Sequence, residues 1–256
     1  MSNRLEGKIA LIMGAGSVGP GWGNGRAIAT RFAEEGAKIY GVDRELARMT
    51  ETIAHVKAAN GEIETSFCDV TKTDSILEAV NACIKRFGRI DILVNNVGGS
   101  AAGGPVEMSE EVWDSQVDSN LKSVFLTCKH VLPLMEAQGS GGIINIASML
   151  SFQGGIRVPS YTASKSAVMG LTRLLANEWA ASGINVNALA PGYMATSMSA
   201  DLRKDEVRNK AIVERIPAAR WGTPYDMAGP AVFLASSAAD YVQGYTLAVD
   251  GGWLAR

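Results

Sequence analysis

The sequence predicts an α/β fold, a doubly wound parallel sheet of about seven strands with helices on both faces. Two observations carry this. Short β-branched or apolar runs recur at 8–13, 37–42, 62–68, 90–95, 142–148, 184–189 and 245–249, and amphipathic stretches of helical length separate them. Runs such as IALIM, IDILV and GIINIA are apolar on both faces, as expected of parallel strands covered by helices on each side.

Taken in order, the intervening stretches read as helices at 26–35, 45–59, 74–87, 110–135, 161–181 and 225–236, with Gly36, Gly61, Gly88 and Gly183 where helix exits are expected. The one extended irregular stretch runs from Pro191 to Pro224, with room for a helix at 201–215; an excursion of this length in a compact domain is usually a binding loop or lid. No low-complexity tract interrupts the pattern, so 1–256 reads as one domain.

Composition narrows the function classes. A content of 47% hydrophobic and 20% charged residues with 28 glycines suits a large core with many tight turns. A net charge of -2 without any long Lys/Arg run offers no footprint for nucleic acid or an anionic membrane, which leaves a small molecule as the expected partner. The N-terminal apolar run is far shorter than a membrane span and enters a glycine loop, so the expected location is cytoplasmic. Cys68, Cys83 and Cys128 are widely spaced, and His55 and His130 do not cluster with them; buried inert thiols are expected, with no metal site.

The first strand enters Gly14-Ala-Gly-Ser-Val-Gly-Pro-Gly-Trp-Gly-Asn-Gly25 and then the helix RAIATRFAEEG. A strand–glycine–helix unit offers backbone N–H groups and a helix dipole to a pyrophosphate. Gly14, Gly16 and Gly19 fit one glycine register, and Gly19, Gly23 and Gly25 another. Pro20 and Gly21 oppose a helical start after Gly19, so the loop is expected to run to Gly25. Asp43 ends the second strand near the ~20-residue spacing at which a carboxylate grips the ribose hydroxyls. It favours NAD; a 2'-phosphate would be repelled by Asp43 and only partly offset by Arg44, so NADP is disfavoured without being ruled out.

Tyr161-Thr-Ala-Ser-Lys165 places two ionisable groups at i and i+4 on one helical face, where an ammonium would favour phenolate and make proton exchange feasible near neutral pH. Ser148, at the end of the fifth strand, supplies a hydroxyl where open α/β sheets bind ligands. Asn120 sits at the margin of an apolar helix face formed by Val117, Leu121, Val124 and Cys128.

Together with Asp69-Val70, Asn95-Asn96-Val97-Gly98, Pro191-Gly192 with Thr196, and Asp250-Gly251-Gly252, these residues resemble the short-chain dehydrogenase/reductase family over essentially the whole chain. That resemblance implies a Rossmann-type fold and hydride transfer between a nicotinamide and a CH–OH group, with no protein nucleophile or metal. It implies Tyr161 as general acid/base, Lys165 lowering its pKa and holding the nicotinamide ribose, Ser148 orienting the substrate oxygen and Asn120 supporting a relay water. Around the cofactor it implies Gly14, Ser17, Gly23 and Asn24 at the pyrophosphate, Asp43 at the ribose and Asp69 and Val70 at adenine. Asn96 and Gly98 would line the ribose side, and Pro191, Gly192, Met194 and Thr196 the nicotinamide. Met13, Val97 and a lengthened glycine loop depart from the common pattern.

From Ile143 onward, segments including NEWA, PGYMAT, RIPAARWG and VDGGWLAR resemble bacterial 2-dehydro-3-deoxy-D-gluconate 5-dehydrogenases and 2-deoxy-D-gluconate 3-dehydrogenases, which implies a sugar acid or related polyhydroxy ketone as substrate. Arg157 would then take the carboxylate, with Gln153 or Tyr193 meeting hydroxyls. Two alternatives are an NADPH-dependent 3-oxoacyl thioester reductase and a non-catalytic nucleotide-binding regulator. The resemblance also implies a homotetramer using helices 110–135 and 161–181, with Trp253-Leu254 as an apolar tail needing cover.

Overall fold

The computed structural model describes residues 3–256; Met1 and Ser2, where the expected domain and the N-terminal reading begin, lie outside the described residues. Its elements run β1 (Ile9–Met13), α1 (Asn24–Glu34), β2 (Lys38–Asp43), α2 (Thr50–Ala58), β3 (Ile63–Phe67), α3 (Thr73–Phe87), β4 (Ile92–Asn95), α4 (Glu110–Val117), α5 (Ser123–Gln138), β5 (Gly141–Ile146), α6 (Pro159–Trp179), β6 (Ile184–Pro191), α7 (Ala200–Lys204), α8 (Glu206–Arg215), α9 (Pro224–Ala235) and β7 (Thr246–Val249). The strands form one 7-stranded sheet in the order β3-β2-β1-β4-β5-β6-β7, with every pairing parallel.

Strand periodicity divides the core. Ile9, Leu11 and Met13 of β1 point into an apolar layer shared with Val124 and Val131 of α5 and Val168 and Leu175 of α6. Ala10 and Ile12 point the other way, against Ile28 and Phe32 of α1 and Met227 and Val232 of α9. All of β1 and β4 is buried, which is why their sequences carry no polar alternation. Among the described residues no helix is long and apolar enough to cross a membrane.

The order reverses between β1 and β4, so the connections leave their carboxyl ends in opposite directions and open a crevice there. A buried polar chain braces its wall. Thr127 donates to Asn95 Oδ1 at 2.6 Å, Asn95 Nδ2 to Asn145 Oδ1 at 2.9 Å, and Asn145 Nδ2 to Thr172 Oγ1 at 3.0 Å, tying α5, β4, β5 and α6 together. Because each member is satisfied, the chain is stabilising only while whole. Asn145→Ala, which orphans groups on both sides, is expected to destabilise by about 2–4 kcal/mol, read as a lower urea midpoint at constant m.

Four local expectations are corrected. The helix expected at 110–135 is two α-helices joined by a π-helical turn at Asp118–Lys122, and the one at 45–59 opens with a 3-10 turn at Leu46–Met49 before α2. The helix at 201–215 is split, because Asp205 leaves α7 with φ -75° and ψ 100° and its side chain caps α8 by accepting from Arg208 N at 3.0 Å. Trp253 is not an uncovered tail: it is 5% exposed, packed with Met149, Ile212 and Ile216 of its own chain.

Candidate active site

The glycine loop leaves β1 through Gly14 (φ +81°), whose N–H shares the Val42 carbonyl with that of Ala15, while its own carbonyl accepts from Asn96 Nδ2 at 2.7 Å. The lengthened loop is pinned from two sides. Arg26 is 2% exposed and sends its guanidinium to the Gly21 carbonyl, to Arg48 O, to Thr52 Oγ1 and into an ion pair with Glu51. Outside, the Trp22 ring stacks on His55 at 4.3 Å and meets Tyr225 edge-on at 4.5 Å. Neither Arg26 nor Trp22 was singled out from sequence, and an arginine in the first turn of a helix carries no local sign that it will point inward.

The residues around this loop fit a dinucleotide. The first turn of α1 has Gly23 as N-cap, carries no capping side chain and no acidic residue, so its N–H groups and dipole face the loop. Asn24 Oδ1 is buried there without a partner. The floor is bare backbone: a Cβ on Gly14 would stand 2.8 Å from Val97 Cγ2, and one on Gly16 2.7 Å from Asp43 Oδ2. Ser17 bonds the Gly19 carbonyl at 2.9 Å. Asp43 accepts from Glu45 N at 3.1 Å, with Arg44 exposed beside it and Arg48 Nε buried without a partner. Asp69 accepts from both Thr71 N and Thr71 Oγ1, at 3.0 and 2.7 Å, in the turn that holds buried Val70.

At the crevice's other side Ser148 caps a 3-10 turn, its Oγ accepting from Leu150 N at 3.1 Å. This leaves the Ser148 proton free to donate. Ser151 completes a capping box: its Oγ meets Ser148 N at 3.3 Å and donates to the Lys165 carbonyl at 2.6 Å, linking the Ser148 and Lys165 segments. The Ser148-x-x-Ser151 spacing is the sequence signal of this capping box. Strand β5 ends at Ile146, two residues earlier than expected, because this turn begins.

Tyr161 and Lys165 lie in the first turns of α6, which starts at Pro159. Burial pushes the Tyr161 phenol above its ordinary value, partly opposed by a hydrogen bond from Ser148. The expected lowering by Lys165 is not found in the protein alone: Lys165 Nζ lies 5.8 Å from the Tyr161 ring centroid and donates to the Ile146 carbonyl at 2.6 Å. Burial lowers Lys165 itself to about 8. From about pH 8 to 10 the unfolded chain binds the proton that native Lys165 has lost, so native stability rises with pH in that window. The protein without cofactor should gain ~2 kcal/mol there relative to Lys165→Met, measured by urea titration at both ends. Above pH 10 the raised Tyr161 acts in the opposite sense.

Asn120 is fully buried in the π turn, accepting from Gly99 N at 3.1 Å and donating to Gly99 O and Gln116 O, both at 2.9 Å. Its side chain is thereby committed to the segment after β4. Gly98 packs against this group: a Cβ there would fall 2.6 Å from Asn120 Oδ1 and 3.2 Å from Lys165 Nζ. After β6, the backbone of Gly192 lies so close to Asp250 that a Cβ would meet its Cα at 2.6 Å. Met194 pairs with Gly222, and Thr196 shares a capping box with Ser199. Thus the 191–224 segment is clasped at both ends. Tyr193 lies between Trp221 and Trp253, and Gln153 faces Arg215. Arg157 is exposed with φ +58°, its carbonyl held by Gly103 N.

Among the described residues no group of His, Cys, Asp and Glu could hold a metal ion. All three thiols are buried, and burial pushes Cys83 and Cys128 up to about 12 and Cys68 to about 11.

Comparison with known proteins agrees with this geometry. A family model described as enoyl-(acyl carrier protein) reductase matches residues 20–254. A 2-dehydro-3-deoxy-D-gluconate 5-dehydrogenase of Dickeya dadantii is 54% identical over 98% of this chain and 97% of its own. A candidate short-chain dehydrogenase/reductase from Burkholderia xenovorans superposes with a TM-score of 0.93 at 46% identity, covering 99% of this chain and 98% of that one. A candidate 2-deoxy-D-gluconate 3-dehydrogenase from Agrobacterium tumefaciens, solved with bound NADP, gives 0.91 at 49% identity over 100% and 99%. A reversed parallel sheet with a glycine loop at its switch point, buried Ser148 and Lys165 with half-buried Tyr161 beside it and full-length likeness to such proteins lead to one conclusion: the chain belongs to the short-chain dehydrogenase/reductase family and is an oxidoreductase acting on CH–OH groups.

Proposed function

We propose that the protein interconverts a secondary alcohol and a ketone on a sugar acid of the 2-dehydro-3-deoxygluconate kind, with NAD as the preferred cofactor. The observation that carries the chemistry is the convergence of buried Ser148 and buried Lys165, joined through Ser151 Oγ on the Lys165 carbonyl at 2.6 Å, with Lys165 Nζ 5.8 Å from the Tyr161 ring centroid. The substrate class is supported by the 54% identity to the Dickeya enzyme over nearly both whole chains.

When bound, the nicotinamide supplies or accepts the hydride. The chain's own part is the proton and the fit. Ser148, its Oγ held by Leu150 N, donates to and orients the reacting oxygen. Tyr161, kept neutral by burial, gives its phenolic proton to that oxygen during ketone reduction and recovers it during oxidation. Lys165, which does not lower the phenol in the protein alone, would favour the phenolate only when bound cofactor and substrate draw its ammonium away from the Ile146 carbonyl. Asn120 holds the Gly99 backbone against this group. The raised phenol stays protonated through neutral pH, ready to donate in ketone reduction, while oxidation, which needs the phenolate, is expected to speed up as pH rises.

NAD is preferred because the Asp43 carboxylate overlies Gly16 at the adenosine end. NADP is the second reading: Arg44 is exposed next to Asp43 in the chain, Arg48, ion-paired with Glu45, keeps an unpartnered Nε, and the Agrobacterium neighbour holds NADP. Initial rates with NAD and NADP across sugar acids, neutral polyols and 3-oxoacyl thioesters test both choices. Faster turnover of thioesters than of sugar acids would overturn the substrate reading, and a higher kcat/KM with NADP the cofactor reading.

A further inference from the structure

A second group of side chains stands at the same end of the sheet, outside the proton-transfer site. Met149, directly after Ser148, packs with Ile212 and Ile216 at α8 and with Trp253 in the C-terminal turn; Tyr193 and Trp221 close over them. Tyr193 meets Trp253 edge-on at 4.8 Å and Trp221 at 5.3 Å, and Trp221 Nε1 is anchored on Asn209 Oδ1 at 2.7 Å. The C-terminal turn is held by Asp250, whose two carboxylate oxygens accept from Gly252 N and Leu254 N, each at 2.9 Å.

On this aromatic platform lies Arg215. Its guanidinium carbon sits 3.9 Å from the Trp253 ring centroid, and Nη2 comes within 3.5 Å of Gln153 Oε1. It is exposed, and among the described residues neither it nor Arg208 forms an ion pair. Both guanidiniums act on the Tyr193 phenol, opposing the rise that burial causes. By contrast Arg220, on the same segment, is neutralised by a bidentate pair with Asp226 at 2.8 and 2.9 Å. A guanidinium stacked on an indole keeps its N–H edge available and loses little further freedom on binding, and that edge matches a carboxylate in two parallel hydrogen bonds.

We infer that Arg215, seated over the Trp253 ring with Gln153 beside it, is the specificity-determining residue that takes the carboxylate of the substrate, in place of Arg157. This rests on the sugar-acid reading of the site. The C-terminal turn thereby acquires a function, with Asp250 and Trp253 as positioning residues that keep the cation at the mouth.

The test uses the full-length enzyme with saturating cofactor, and two substrates: 2-dehydro-3-deoxy-D-gluconate and its methyl ester, which keeps the hydroxyls and loses the charge. Wild type should favour the acid. Arg215→Leu should raise KM for the acid about 10–100-fold with kcat within about threefold, and leave kcat/KM for the ester within about threefold. Arg215→Lys, which keeps charge without the planar fork, should fall between; Arg157→Leu should treat acid and ester alike. An equal loss on both substrates in Arg215→Leu, or no loss on the acid, overturns the assignment while the sugar-acid reading stands. A wild type that turns over acid and ester equally, or neither, overturns that reading and the assignment with it.

Discussion

Replacing Tyr161 by phenylalanine is expected to lower kcat about 10³-fold in both directions while NAD or NADP binds within about twofold of wild type. The ring remains, so packing is preserved and only the oxygen is lost. Single-turnover rates at saturating cofactor, with cofactor affinity from fluorescence titration, separate the two quantities. Residual turnover above about one tenth of wild type would mean that another group exchanges the proton. Ser148→Ala should show a smaller loss, since it removes orientation and leaves the acid in place, and its 3-10 turn would also lose the bond from Leu150 N.

Gly25→Ala should be the most damaging methyl group that can be added to the glycine loop. The new Cβ would stand 2.0 Å from Gly14 O and 2.6 Å from Asn96 Nδ2, the very pair whose hydrogen bond joins the loop to β4. Neither the backbone carbonyl nor the helix carrying Gly25 can yield cheaply. A loss of roughly 3 kcal/mol or more in unfolding free energy is expected, with dinucleotide affinity falling more than about tenfold. Gly21→Ala supplies the contrast: its φ of +84° makes alanine strained, but nothing lies within 4 Å, so about 1–2 kcal/mol is expected. Equal costs at the two positions would show that conformation, and not close approach, governs the loop.

The sheet was legible because its signal is local. IALIM and IDILV are buried on both faces, and no polar alternation competes with that reading. Tyr161, Lys165 and Ser148 came together through the family resemblance, and the structure sets each near an element boundary at the carboxyl edge of the sheet. The π turn at Asn120 was not legible, because α4, the turn and α5 share one continuous helical pattern. The inserted residue is revealed only by the backbone, where Ser123 N reaches the Asp118 carbonyl five residues back.

Sequence alone was sufficient for the sheet architecture, since strand and helix periodicity act over a few residues. Tertiary structure decided the rest. It showed that Arg26 turns inward to pin the loop, that the Lys165 ammonium meets the Ile146 carbonyl and not the phenol, and that Trp253 returns to seat Arg215. Those contacts join residues far apart in the chain, and burial, which moves Tyr161 up and Lys165 down, exists only once the surrounding elements have closed over them.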